Sequence, residues 1–70
     1  MLENKTKLKN GDCVEHGYFG PLYVNGRFRD GSGVVYMGIN GIDGISYQFN
    51  AGECVRMMSR EEFDAAPKKT

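Results

Sequence analysis

From Leu8 onward the chain alternates apolar and polar positions with a period of two, broken every few residues by glycine. That period is the mark of a half-buried strand, because successive side chains leave opposite faces of the pleat. Cys13-Val14-Glu15-His16 reads as a short strand behind the turn dipeptide Asn10-Gly11. Gly17-Tyr18-Phe19-Gly20-Pro21 carries too many turn formers for a regular element and reads as a loop. In Leu22 to Arg29, apolar Leu22, Val24 and Phe28 alternate with Tyr23, Asn25, Arg27 and Arg29, and Gly26 falls where a bulge or bend fits. Asp30-Gly31-Ser32-Gly33 is a tight turn in which Asp-Gly is expected to supply the positive φ.

Val34 to Ile39 is apolar on both faces, which predicts a central strand. Asn40 to Gly44 turns the chain again, and Ile45, Tyr47 and Phe49 alternate with Ser46 and Gln48 as a further half-buried strand. Asn50-Ala51-Gly52 makes a corner into the last strand, Glu53 to Met58. Ser59-Arg60-Glu61-Glu62 fits a capping box, with Phe63 as the apolar anchor of a short helix that Pro67 ends. The tetrapeptide Gly-acidic-Cys-Val occurs twice, as Gly11 to Val14 and Gly52 to Val55. It marks the first and last strands and predicts that they are neighbours, with both thiols inside and reduced.

Five short strands joined by glycine turns and closed by a short helix describe an all-β chain, a small five-stranded antiparallel barrel. The order of pieces resembles the SH3-like barrels, including the KOW and Tudor types, over residues 8 to 58. That resemblance implies an irregular loop after the first strand, two hairpins, a single helical corner and a fifth strand beside the first. The expected organisation is an N-terminal tail over 1–7, the barrel over 8–58, a helix over 59–66 and a tail over 67–70. A five-stranded OB barrel is the alternative architecture. The Ala-Leu-Tyr-Asp-Tyr stretch of peptide-binding SH3 domains is absent, and the chain has no tryptophan.

With 70 residues the chain makes one small domain, of a size that buries only about 60% of its unfolded surface. No run approaches the roughly 18 apolar residues of a membrane span. Met1 to Asn10 has no apolar core, unlike a secretory signal, so a cytoplasmic setting is expected. Nine basic and nine acidic residues cancel, which disfavours bulk electrostatic binding of nucleic acid. All the lysines sit in the tails (Lys5, Lys7, Lys9, Lys68, Lys69), while Arg27 and Arg29 leave one face of a strand.

A metal site would use Cys13, His16 and Cys54, with Asp12 or Glu53 as a fourth ligand; half a knuckle is a weak zinc signal, so no metal or cofactor is expected. His16 has no nucleophile at a recognisable spacing and reads as a solvent-facing strand-end residue. The glycines from Gly38 to Gly44 precede no helix, so they read as hairpin glycines and not as a phosphate loop. Tyr36, Tyr47 and Phe49 read as core or wall.

The aromatic residues Tyr18, Phe19 and Tyr23, with Pro21, cluster around the loop after the first strand, which in SH3-like barrels helps form the ligand groove. Together with Arg27 and Arg29 they are the expected contact surface for a protein partner or for self-association, in a non-enzymatic interaction module. Nucleic-acid binding through Arg27, Arg29 and the tail lysines is the alternative. A further alternative is an oligomeric pore enzyme: in length, in Gly11 to Val14 and in Tyr47-Gln48-Phe49 the chain is similar to type II dihydrofolate reductase. That family's pore stretch, Val-Gln-Ile-Tyr, is not reproduced, so no catalytic residue is carried over.

Overall fold

The computed structural model describes residues 1–31 and 33–67. Ser32 of the expected turn and Lys68 to Thr70 of the expected tail lie outside the described residues. The alternating runs form β1 (Cys13–His16), β2 (Gly20–Asp30), β3 (Gly33–Asn40), β4 (Ser46–Phe49) and β5 (Cys54–Met58). A 3-10 turn, Ala51–Glu53, links β4 to β5, and helix α1 (Arg60–Ala65) follows. All pairings are antiparallel, in the order β4-β3-β2-β1-β5. The copies of Gly-acidic-Cys-Val therefore do lie on neighbouring strands.

The edges of this sheet are β4 and β5, and no ladder joins them among the described residues. The molecule is an open all-β sheet with one short helix, which corrects the expectation of a closed barrel. The N-terminal segment lies across the gap instead. Leu2 N donates to Cys54 O on β5 (2.9 Å), and Gly52 N donates to Asn4 Oδ1 (3.2 Å). On the β3 side, Leu8 N donates to the Tyr36 hydroxyl (3.0 Å), which itself donates to Thr6 O (3.2 Å). Leu8 is buried among Val14, Leu22, Val24, Tyr36, Phe49, Ala51 and Cys54, with Leu2 packed against them. Apolar contact at both ends and hydrogen bonds between them hold residues that composition alone reads as a tail.

Two bulges decide which side chains reach that core. In the β2–β3 ladder the register shifts between Val24 and Gly26, so that Val24 faces Gly38 while Gly26 faces Met37. Gly26 is thus at the bulge its position suggested. Directly opposed residues share a face, and one extra residue flips everything beyond it. Phe28 therefore pairs with Val35 on the outer face, opposite to Leu22 and Val24, and is 41% exposed. Arg27 opposes buried Tyr36 and Arg29 opposes Val34, on the core side of the sheet. This corrects the simple alternation, which put Phe28 on the face of Leu22 and Val24.

The second bulge lies between β1 and β5, where Glu15 opposes Arg56 but His16 opposes Cys54, leaving Val55 extra. It turns Cys54 into the core beside His16 and leaves Val55 exposed. The repeated tetrapeptide is used in opposite ways: the first copy buries Val14 in the core, and the second buries Cys54. At the β2–β3 turn the positive φ falls on Gly33 (128°) and not on Gly31, as Asp-Gly had suggested.

Helix α1 is capped as its sequence requires, with Glu62 N donating to Ser59 Oγ (3.1 Å) and Ser59 N donating to Glu62 Oε1 (3.2 Å). Phe63 anchors it on the outer face near Tyr23, 6.0 Å between ring centroids, and against Gly41, where a Cβ would lie 3.0 Å from the ring. Among the described residues no helix is long and apolar enough to cross a membrane.

Candidate functional site

The chain turns between β1 and β2 around the imidazole of His16. Its Nδ1 accepts from Tyr18 N (3.0 Å) and from Phe19 N (3.1 Å), so this nitrogen carries a lone pair and the hydrogen-bond pattern assigns the proton to Nε2. Nε2 lies 3.6 Å from Glu53 Oε1 and makes no hydrogen bond among the described residues. Only 6% of His16 is exposed, which corrects the solvent-facing reading. The signal was present, since His16 is two residues from core Val14 and so shares its face.

Packing fixes the same turn from the other side. The His16 ring lies 4.6 Å from Phe19, and Phe19 stacks on Tyr47 at 4.1 Å with 19° between planes. Buried Asn40 joins this turn to the β3–β4 loop: Nδ2 donates to Phe19 O (2.7 Å), while Oδ1 accepts from Ile42 N (2.6 Å) and Asp43 N (3.2 Å). The Tyr47 hydroxyl donates to Asp43 Oδ2 (2.7 Å), and that hydrogen bond holds its pKa above the usual phenol value. Tyr18 stands on top, edge-on to Phe19 at 5.2 Å and 86% exposed. The β1–β2 turn and the start of β4 thus bring Tyr18, Phe19 and Tyr47 together, and Ile45 of the β3–β4 loop is exposed.

The six residues expected to form one contact surface do not converge. Tyr18 and Phe19 belong to the His16 turn. Pro21 is buried, and half-buried Tyr23 lies on the outer face, with Phe63 beside it and the Arg60 guanidinium 5.0 Å over its ring. Arg27 and Arg29 sit at the far end of β2, where they line a cleft of about 590 Å³ with Lys5 and Lys7 of the N-terminal segment. The lysines were legible as charges, but nothing local in the sequence brings residues 5 and 7 to the β2–β3 hairpin.

The cysteines occupy opposite faces. Cys54 opposes His16 in the core, whereas Cys13 opposes Tyr23 on the face that α1 covers. Both are free and buried. Burial pushes the Cys54 thiol up to about 11, helped by the Glu53 charge, and burial likewise raises Cys13. Both stay protonated at neutral pH, the form unsuited to nucleophilic attack or to binding a metal. Among the described residues no group of three His, Cys, Asp or Glu side chains is placed to hold a metal ion.

Arg56 bridges Glu15 (3.0 Å) and Glu62 (2.7 Å), tying β5 to β1 and α1. The Arg56 hydrogen bond, with Ser59 N, lowers the Glu62 carboxyl to about 2. No protein-family model matches this chain, and no curated protein or solved structure is significantly similar to it.

Proposed function

We propose that this chain is a small non-enzymatic interaction module of SH3-like architecture that grips a protein partner through the surface around Tyr18. The architecture is supported by β5 returning beside β1 and by the 3-10 turn between β4 and β5. One observation carries the binding reading: a tyrosine 86% exposed on a turn that a buried histidine and a buried asparagine both hold in place. A large aromatic carried on a backbone already held in place spares the cost of ordering the loop on contact, and such residues dominate interface energies.

The test compares wild type with Tyr18→Ala, a substitution at a side chain that is 86% exposed and whose one ring contact among the described residues is the edge of Phe19. Partners captured from the producing cell are identified, and the affinity of each purified partner is then measured for both forms. Loss of Tyr18 is expected to weaken binding at least tenfold, about 1.4 kcal/mol, with unchanged circular dichroism. Sedimentation of the purified chain reads self-association in the same pair. Equal affinities, together with equal self-association, would refute the reading.

A further inference from the structure

The turn after β1 is built for a neutral histidine. The His16 ring is 6% exposed, and the lone pair on Nδ1 already accepts from Tyr18 N (3.0 Å) and Phe19 N (3.1 Å). Nε2 carries the one proton of the neutral ring, so a second proton has only Nδ1 to go to. There it would set an N–H against two others where two hydrogen bonds now lie. Nε2 is itself a buried N–H without a hydrogen bond among the described residues, 3.6 Å from Glu53 Oε1. Buried polar groups left unpaired are uncommon and costly, and a second state of this ring would relieve one.

We propose that His16 is a proton-operated latch on the Tyr18 turn, closed while its ring is neutral and released when acid makes it an imidazolium. In the released state Tyr18 N and Phe19 N turn to water, and the imidazolium closes on the Glu53 carboxylate through Nε2. Glu53 is held in place to receive it, since Oε1 accepts from Asn50 N (2.8 Å) and its backbone O accepts from Gly17 N (3.0 Å). The Gly17 bond at one end, and Asn40 Nδ2 on Phe19 O (2.7 Å) at the other, confine release to the peptides on either side of Tyr18.

The other groups around the ring bring no charge to it. Cys54, opposite His16 on β5, keeps its thiol protonated because burial pushes its pKa up to about 11. Phe49 of β4 meets the imidazole edge-on at 5.9 Å, and Gly20 of β2 opposes it without a side chain. Tyr47 lies behind Phe19 with its hydroxyl on Asp43, while Glu15 pairs with Arg56 on the other face. The closed turn binds no proton at Nδ1 and the released turn binds one, so the closed form is favoured at high pH and lost as pH falls. An accessible histidine titrates near about pH 6.5, and below that value the released fraction grows about tenfold per pH unit. That release would gate contact with a partner rests on the reading of the Tyr18 surface given above; the latch itself does not.

The experiment is amide hydrogen exchange on the free chain, read by NMR from about pH 7.5 to about pH 5 and corrected for the intrinsic pH dependence of exchange. Protection of the Tyr18 and Phe19 amides should fall about thirtyfold, or to the unprotected limit, while amides of the β2–β3 ladder stay level. His16→Asn supplies an acceptor oxygen that does not titrate, so its turn amides should keep the same protection across the range. Glu53→Gln keeps the oxygen that Asn50 N uses but removes the charge, so the fall should set in about 0.2–0.7 of a pH unit lower. That variant leaves the ring in place and remains a test where His16→Asn fails to fold. Turn amides with protection independent of pH, ladder amides that lose protection in step with them, or an unshifted onset in Glu53→Gln would each overturn the proposal. No partner enters the measurement, so those results leave the Tyr18 contact reading standing, and equal partner affinities for Tyr18→Ala would leave the latch standing.

Discussion

Replacing Asn40 by alanine removes three hydrogen bonds at once, those to Phe19 O, Ile42 N and Asp43 N. At about 1 kcal/mol per bond the gross loss is about 3 kcal/mol. Ile42 and Asp43 are exposed, so water recovers part of their share, whereas the carbonyl of half-buried Phe19 keeps most of its penalty. A net destabilisation of about 2 kcal/mol follows. For a chain of this length that lowers Tm by about 8–16 °C, and with a urea m-value of about 1 kcal/mol/M it moves the midpoint by about 2 M. Far-UV circular dichroism during thermal and urea unfolding reads both quantities. Asn25→Ala, at an exposed bulge position, is the control and should change stability by less than about 0.5 kcal/mol. An Asn40→Ala midpoint indistinguishable from that control would refute the view that Asn40 holds the two loops together.

A Cβ at Gly38 would lie 3.0 Å from Phe49 Cε1 and 3.2 Å from Leu22 Cβ, so Gly38→Ala should lose about 1–3 kcal/mol in urea unfolding; a neutral substitution would contradict the packing. The folded-state pKa of Glu62 is lowered to about 2, so its contribution is fully present above the ordinary carboxylate range and is lost as pH falls from there towards 2. Glu62→Gln should therefore be less stable than wild type at neutral pH and converge with it in strong acid, and a gap independent of pH would contradict the Arg56 contact. With both thiols buried and raised in pKa, Cys13 and Cys54 should react with a thiol reagent only on unfolding; fast labelling of the native protein at neutral pH would refute their placement.

Local chemistry made much of the fold legible. Glycine-bounded alternation located each strand to within a few residues, Gly26 marked a bulge, and Ser59 with Glu62 announced the helix start. Each rests on neighbours in the chain, where φ preferences and side-chain period act directly. The candidate surface was half legible: Tyr18 stands where an exposed loop aromatic was expected, but Pro21 and Tyr23 went to the face that α1 covers.

By itself the sequence determined the class, the order of elements and the pairing of the two Gly-acidic-Cys-Val strands. Tertiary structure alone decided which faces those strands presented, because one extra residue at Asn25 and another at Val55 inverted the alternation beyond them. It also decided that the sheet stays open, that residues 2 to 8 cross its gap, and that Lys5 and Lys7 meet Arg27 and Arg29. Those outcomes depend on contacts between residues far apart in the chain, formed only once the core around Tyr36 and Leu8 is assembled.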